Sequence, residues 1–403
     1  LKHEYLILAG FICLMSVLTA ELIAQVVKKR KIYNLSDATT NTAFGISDRV
    51  FSVFWDGFLI LVFFYIQDNW ALWHIPNTPL SWFVALVLTD LIFYCYHRAG
   101  HETRLFWAIH SAHHQSEDYN LTVGFRISIF QTITRSIFYC LIPLCGFDPI
   151  VILSVLIFHG IYQLPLHTKL IPKLGFLEYI LVTPSHHRVH HASNELYLDR
   201  NYGGVFIIWD RLFGSFQEEL PEIVTVYGLT ERTGSMGFIF SHFHGFRQMI
   251  ALFKQRIPSA KKFSGLFNKP SDIKGIFPPA PQFYIYRGKQ IYALLQLLAC
   301  AGLAMLLIYN EKMWPPLERT YAAIMVVWML LSLTGRQVQT SNRVSWLEIA
   351  RNIAFPIVCF WVLPHGKLEW ISLSFFTFTC YASLVFGLGI ISFNKNKIEA
   401  SAG

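Results

Sequence analysis

Nine stretches of the chain are mostly apolar over close to the length, about 20 residues, that a helix needs to cross a bilayer core. They run over 5–27, 50–67, 80–96, 127–145, 148–166, 290–310, 318–334, 349–363 and 370–392. The eighth is short and contains Pro356. The fourth and fifth are joined by Gly146-Phe147-Asp148-Pro149, a tight-turn signal. That pair predicts a helical hairpin that either crosses or re-enters. The pattern predicts an all-α multi-pass membrane protein with about nine transmembrane or re-entrant helices. The first run lacks a small-residue cleavage site and is followed by Lys28-Lys29-Arg30-Lys31, which predicts a retained helix and not a cleaved signal.

Between the apolar runs, one long polar segment stands out, 167–289. Its later half holds Pro258, Pro270, Pro278, Pro279 and Pro281, and it reads as a cap followed by a connecting loop. Four regions follow: N-terminal transmembrane helices over 1–79, a histidine-rich domain over 80–230, a connecting segment over 231–289 and a C-terminal transmembrane bundle over 290–403. Basic residues follow every odd-numbered span, as at 28–31, Arg98, Arg104, Arg336, Arg343, Lys395 and Lys397. Loops 68–79 and 364–369 carry almost none. Positive charge marks the cytosolic side, so the N-terminus is expected outside and the histidine-rich cap in the cytosol.

Composition agrees with lipid as the solvent. Charged residues make up 14% of the chain and hydrophobic ones 54%, where a soluble domain carries about 25% charged residues. The net charge of +8 sits in short loops beside apolar runs, as topogenic charge does, and predicts no nucleic acid partner. All seven cysteines lie in or next to apolar runs without a CxxC pair, which excludes a thiolate zinc site of that pattern.

Of the sixteen histidines, eleven lie between residues 97 and 191. His97 and His101 form HxxxH; His110, His113 and His114 form HxxHH; His187, His190 and His191 form a second HxxHH. Residues at i, i+3 and i+4 share a helix face, so each motif presents its imidazoles together. Four ligands close a structural zinc site, so eight suit two metals. Imidazole serves zinc, copper, nickel and iron alike; neutral all-nitrogen ligation with open positions fits two ferrous ions that activate dioxygen. His167, at the cytosolic end of the fifth span, is read as a ninth ligand. His159 and Gln163 share its face at four-residue spacing and either line a pocket or hydrogen-bond within the bundle. His186 precedes its motif and points elsewhere. Asp90, upstream of His97, is either a partner for a histidine N–H or an interhelical bond. The lone His3, His74, His242, His244 and His365 are read as satisfied core or surface residues.

These motifs resemble the fatty acid hydroxylase and sterol desaturase superfamily, whose last box continues, as here, into Asn201-Tyr202-Gly203-Gly204-Val205 and Trp209-Asp210-Arg211-Leu212-Phe213-Gly214. The likeness covers 80–230, which marks that region as the catalytic domain. Within the superfamily the chain is most similar to the alkylglycerol monooxygenases and their bacterial relatives, at His97–Glu102, Ser116–Leu121 and Thr183–His191. The resemblance implies that one oxygen atom of dioxygen enters a lipid C–H bond and the other leaves as water. On an ether lipid, hydroxylation beside the ether oxygen gives a hemiacetal that collapses to an aldehyde and glycerol. An external reductant is required, tetrahydrobiopterin in the ether-lipid enzymes, although no pterin-binding signature is recognisable. Glu102 is marked as functional by the resemblance, and a carboxylate there can orient an imidazole or relay protons. Glu117 and Asp118 are read either in that role or as a solvated turn, and Asn201 as a support for the third box or a plain turn residue. A sterol or fatty-acyl hydroxylase or desaturase needs the same metal geometry and stays open. A histidine-rich metal transporter is the rival from another class; it predicts polar residues along a path through the spans, which the sequence lacks.

Overall fold

The computed structural model describes residues 16–25, 27, 32–230, 237–254, 258–270, 290–309, 315–333, 350 and 353–354. No strand occurs among the described residues, only the isolated bridges Leu181–Phe206 and Ala192–Tyr227. The chain divides into two compact units, one of Leu1–Asn34, Trp55–Gly234 and Ser241–Ala280, the other of Leu35–Phe54, Ser235–Phe240 and Pro281–Gly403.

The first unit contains helix α1 (residues 16–25), the later part of α2 (Leu35–Trp70), α3 (Pro79–Glu102), α4 (Arg104–His114), α5 (Ile129–Tyr139), α6 (Leu141–Leu144), α7 (Pro149–Gln163), α8 (Pro184–His191), α9 (Ile208–Leu212), most of α10 (Phe238–Lys254) and α11 (Ser259–Gly265). The second holds the start of α2 with α12 (Gln290–Tyr309) and α13 (Pro316–Leu333), where Ala43, Ile46 and Val50 pack with Leu303, Leu307, Met325 and Val326. Three helices, α2, α3 and Pro149–Leu166, are long and apolar enough to cross a membrane; Ile129–Leu144 and Leu295–Met305 are shorter apolar helices. The protein is therefore an integral membrane protein. Of the nine expected spans, the ninth, 370–392, lies outside the described residues, as do most of the eighth, 349–363, and the start of the first, 5–27.

Local chemistry fixes the ends. Thr78 caps α3 by accepting from Ser81 N, Ser81 Oγ accepts from Thr78 N in return, and Pro79 fills the first helical position. Asp148 caps α7 by accepting from Ile150 N at 2.7 Å, again ahead of a proline. The expected fourth span is broken at Cys140, because Pro143 lacks an N–H and its ring crowds the carbonyl of residue 139. Helix α2 starts well before the expected residue 50; its first turns carry Asp37, Thr39, Thr40 and Asn41, which are polar yet buried. Gly146, at φ +94°, makes the α6–α7 turn, and a Cβ there would lie 1.8 Å from Trp73 O. Leu72 N donates to Leu144 O and Ile75 N to Gly146 O. The hairpin thus reaches the end of the bundle that carries the α2–α3 connection. Phe63, Ala85, Ile92, Tyr139, Ile142, Val151 and Val155 form the core between these helices.

Candidate metal centre

The opposite end of α3 delivers His97 and His101. Helix α4 follows after Thr103 and carries His110, His113 and His114 on one side, while α8, started by Thr183 and Pro184, carries His187, His190 and His191. His167 follows the turn after α7. All nine are buried, and they separate into two groups. His97, His101, His110, His114 and His190 form one; His113, His167, His187 and His191 form the other. Within each group one nitrogen of every ring lies within 4.8 Å of all the others.

The nitrogens that meet are Nε2 atoms. His97 and His110 approach to 3.1 Å, His110 and His114 to 3.1 Å, His187 and His167 to 2.9 Å, His191 and His187 to 3.2 Å, and His167 and His113 to 3.5 Å. Nε2 of His101 and of His190 has no hydrogen-bond partner. The outward nitrogens explain the orientation. Nδ1 of His97 donates to Tyr202 O at 2.8 Å, that of His113 to Arg126 O at 3.2 Å, that of His190 to Arg200 O at 3.0 Å and that of His167 to Leu164 O at 3.3 Å. A ring that donates through Nδ1 keeps a lone pair on Nε2. Lone pairs are therefore aimed at one another in a buried space, which repels unless a cation sits between them. Nitrogens bound to one metal at about 2.1 Å lie roughly 3.0–3.4 Å apart, the spacing found here. The residues fit two metal ions.

Electrostatics agree. Burial, reinforced by neighbouring imidazoles, holds His110, His113, His114, His187, His190 and His191 well below the ordinary histidine value. Burial takes His167 to about 4, against the hydrogen bond to Leu164 O. Neutral imidazole is the form that binds metal.

Around the histidines, several groups act as supports. The Asp210 carboxylate accepts from Tyr202 N (2.7 Å), Gly203 N (2.8 Å) and Ser215 Oγ (2.7 Å). Asp90 accepts from Val205 N (2.7 Å), Phe206 N (2.9 Å) and Trp209 Nε1 (3.0 Å). Two buried carboxylates thus grip the segment whose Tyr202 carbonyl orients His97. A Cβ on Gly204 would lie 2.7 Å from Asp90 Oδ1, and one on Gly203 2.5 Å from Phe206 O, so the paired glycines are required by this close approach. Asp90 also accepts from His159 Nε2 at 2.7 Å, and Gln163 Nε2 donates to His159 Nδ1 at 2.5 Å. His159 and Gln163 are therefore joined to Asp90 and not to either histidine group. His186 turns aside and accepts from Thr183 N. Asn201, at φ +56°, donates to His186 O and Gln217 O. Glu102 pairs with Arg98 at 3.0 Å. Glu117 is exposed and Asp118 half-buried, just past α4.

Four residues not singled out from the sequence support the site. Asp210 was visible only as one letter of a family tail. Asp199, at φ +57°, sets Oδ1 3.6 Å from His101 Nδ1. Arg126 is buried and donates to Ala112 O, Gln115 Oε1 and Ser241 Oγ. Arg188 clasps Glu219 through two 2.7 Å bonds and donates to Thr168 O and Ile171 O, tying α8 to the segment after His167. Arg188 inside the third histidine box, and Arg126 at the edge of the fourth apolar run, were the available signal.

Such a centre, carried at one end of a helical membrane bundle, defines a membrane-embedded histidine metalloprotein, and residues 82–215 match the fatty acid hydroxylase family. The chain is similar to the alkylglycerol monooxygenase of Homo sapiens, 38% identical over 258 residues, covering 63% of this chain and 57% of that protein. It is similar to the alkylglycerol monooxygenase of Caenorhabditis elegans, 33% identical over 61% of this chain and 49% of that protein. An ornithine lipid hydroxylase of Rhizobium tropici is 28% identical over 39% of this chain and 47% of its own length. The chain thus spans about half the length of these relatives. No solved structure matches it.

Proposed function

We propose that this chain is a dioxygen-dependent lipid monooxygenase that cleaves alkylglycerol ethers to an aldehyde and glycerol. The observation that carries it is the pair of buried, inward-facing histidine groups, in a chain 38% identical over 258 residues to an alkylglycerol monooxygenase. Two iron ions would be held by His97, His101, His110, His114 and His190 and by His113, His167, His187 and His191. Bound there, they would supply the activation of dioxygen for insertion into a C–H bond.

The chain's own part is orientation and exclusion of water. Carbonyls of Tyr202, Arg126, Arg200 and Leu164 fix the ring tautomers, and burial keeps the imidazoles neutral. Phe93, packed on His97 at 5.1 Å and His159 at 4.9 Å, supplies apolar wall for an alkyl tail. Glu102, Glu117 and Asp118 stand as candidates for proton handling near the site. The centre would face the cytosol, with electrons from an external donor, tetrahydrobiopterin among those to be supplied.

Membranes carrying the protein, given isotopically labelled dioxygen and a panel of reductants, should place label in a fatty aldehyde from an alkylglycerol. Changing His113 or His190 to Ala should abolish the product. Intact ether lipid under every donor, with a sterol or fatty acid oxidised in its place, would overturn the substrate; metal uptake into vesicles without lipid oxidation would replace the enzyme with a transporter.

A further inference from the structure

Helix α10 is built inside out for water. Ser241, His242, His244, Gly245 and Leu252 face the protein. Ile250 and Phe253 lie on one side with Phe243, seven and ten residues from it, and are turned outward, as is the open edge of Phe243, whose ring also meets Phe130 edge-on at 5.7 Å. In the next helix and its exit Phe263 and Phe267 are turned outward too, and these five are 45–65% exposed. The polar side is the packed one. Arg126 Nη2 donates to Ser241 Oγ at 2.8 Å and Gln115 Nε2 to Ser241 O at 3.2 Å. A Cβ on Gly245 would lie 2.3 Å from Ala108 Cα. At the far end Gly265 meets Leu252, and Arg104 Nη1 donates to Gly265 O at 2.8 Å. The helix therefore runs antiparallel along α4, from Gln115 back to Arg104, and is not among the three helices suited to crossing.

Charge selects the occupant of the outer face. From Phe238 to Pro270 the sequence holds Arg247, Lys254, Arg256, Lys261, Lys262 and Lys269 and no aspartate or glutamate. An apolar stripe flanked by cations, on a helix packed along the histidine-bearing α4, fits the boundary between acyl chains and acidic headgroups. We propose that α10 and α11 lie in the membrane plane beside the histidine-bearing end, with this stripe in the acyl region and the lysines on anionic phospholipid.

The full chain is reconstituted in vesicles of phosphatidylcholine, alone or with one third phosphatidylglycerol. Nitroxide labels are placed by Phe243→Cys and Ile250→Cys, with the signal of the unsubstituted protein subtracted. Labels at 243 and 250 should be reached by dissolved oxygen and shielded from a water-soluble nickel chelate. The oxygen-to-nickel ratio at 250 should rise with phosphatidylglycerol. Lys254→Glu, Lys261→Glu and Lys262→Glu together should erase that rise while metal content stays unchanged. Labels at 243 and 250 open to the nickel chelate, or broadened by a label on a second copy, would overturn the proposal. So would identical ratios in the two lipid mixtures.

Discussion

Histidine, at the scale of single residues, was the legible part of this site. Spacing at i, i+3 and i+4 singled out eight rings, and position at a span end added His167. Their partners were hidden because four of them are backbone carbonyls, which any sequence supplies. Asp199 and Asp210 were hidden because nothing local distinguishes a carboxylate that turns inward. Burial has a consequence for pH. Unfolded histidines titrate near 6.5, while the folded rings sit lower, His167 at about 4. The unfolded chain then binds more protons between those values, so the stabilisation is complete above about pH 6.5 and is lost as pH falls through the folded values. Metal-free protein in detergent should melt at progressively lower temperature as pH drops from about 6.5 toward 4. Reloaded protein should release metal over the same interval, since protons compete for the same lone pairs. Melting curves that superimpose across the window would contradict the neutral buried state.

Elements were legible where pattern and length agreed. Helices α3, α7, α12 and α13 fall on expected runs. The break at Cys140 follows from Pro143, which a hydropathy run does not register. The polar start of α2 lowered its apolar signal although those side chains are buried. Least legible was the segment from Asn201 to Phe216. It has little regular structure beyond α9 and gets its shape from Asp90, which reaches it from α3, and from Asp210 of its own α9. Loss of one carboxylate should act on His97 through the Tyr202 carbonyl. Asp210→Asn is expected to weaken metal binding at the five-histidine group by about 10–100-fold and to leave the four-histidine group near its original affinity. Cobalt(II) titration against a competing chelator, read optically, separates the two. Equal loss at both groups would mean that Asp210 serves the fold at large and not His97.

At the scale of the molecule, one end of the bundle carries the α2–α3 connection and the α6–α7 turn, and the other carries both histidine groups. Helix α3 alone has 24 residues, about 36 Å at the α-helical rise, more than a bilayer core. Glu195→Cys and Asn77→Cys, both exposed positions, should therefore react with an impermeant thiol reagent from opposite sides of sealed vesicles, Glu195→Cys from the cytosolic one. Reaction of both from one side would defeat the topology.

The five-and-four division of the histidines is also a division in the order of synthesis. His97, His101, His110 and His114 are made within one short stretch, whereas the second group has only His113 at that point. Roughly seventy residues separate His114 from α8, about 4–15 s of elongation at common ribosome speeds. Throughout that interval the first group lacks a single ring, His190, while the second lacks three of its four until His167 is made and two afterwards. The last box to be made completes both groups.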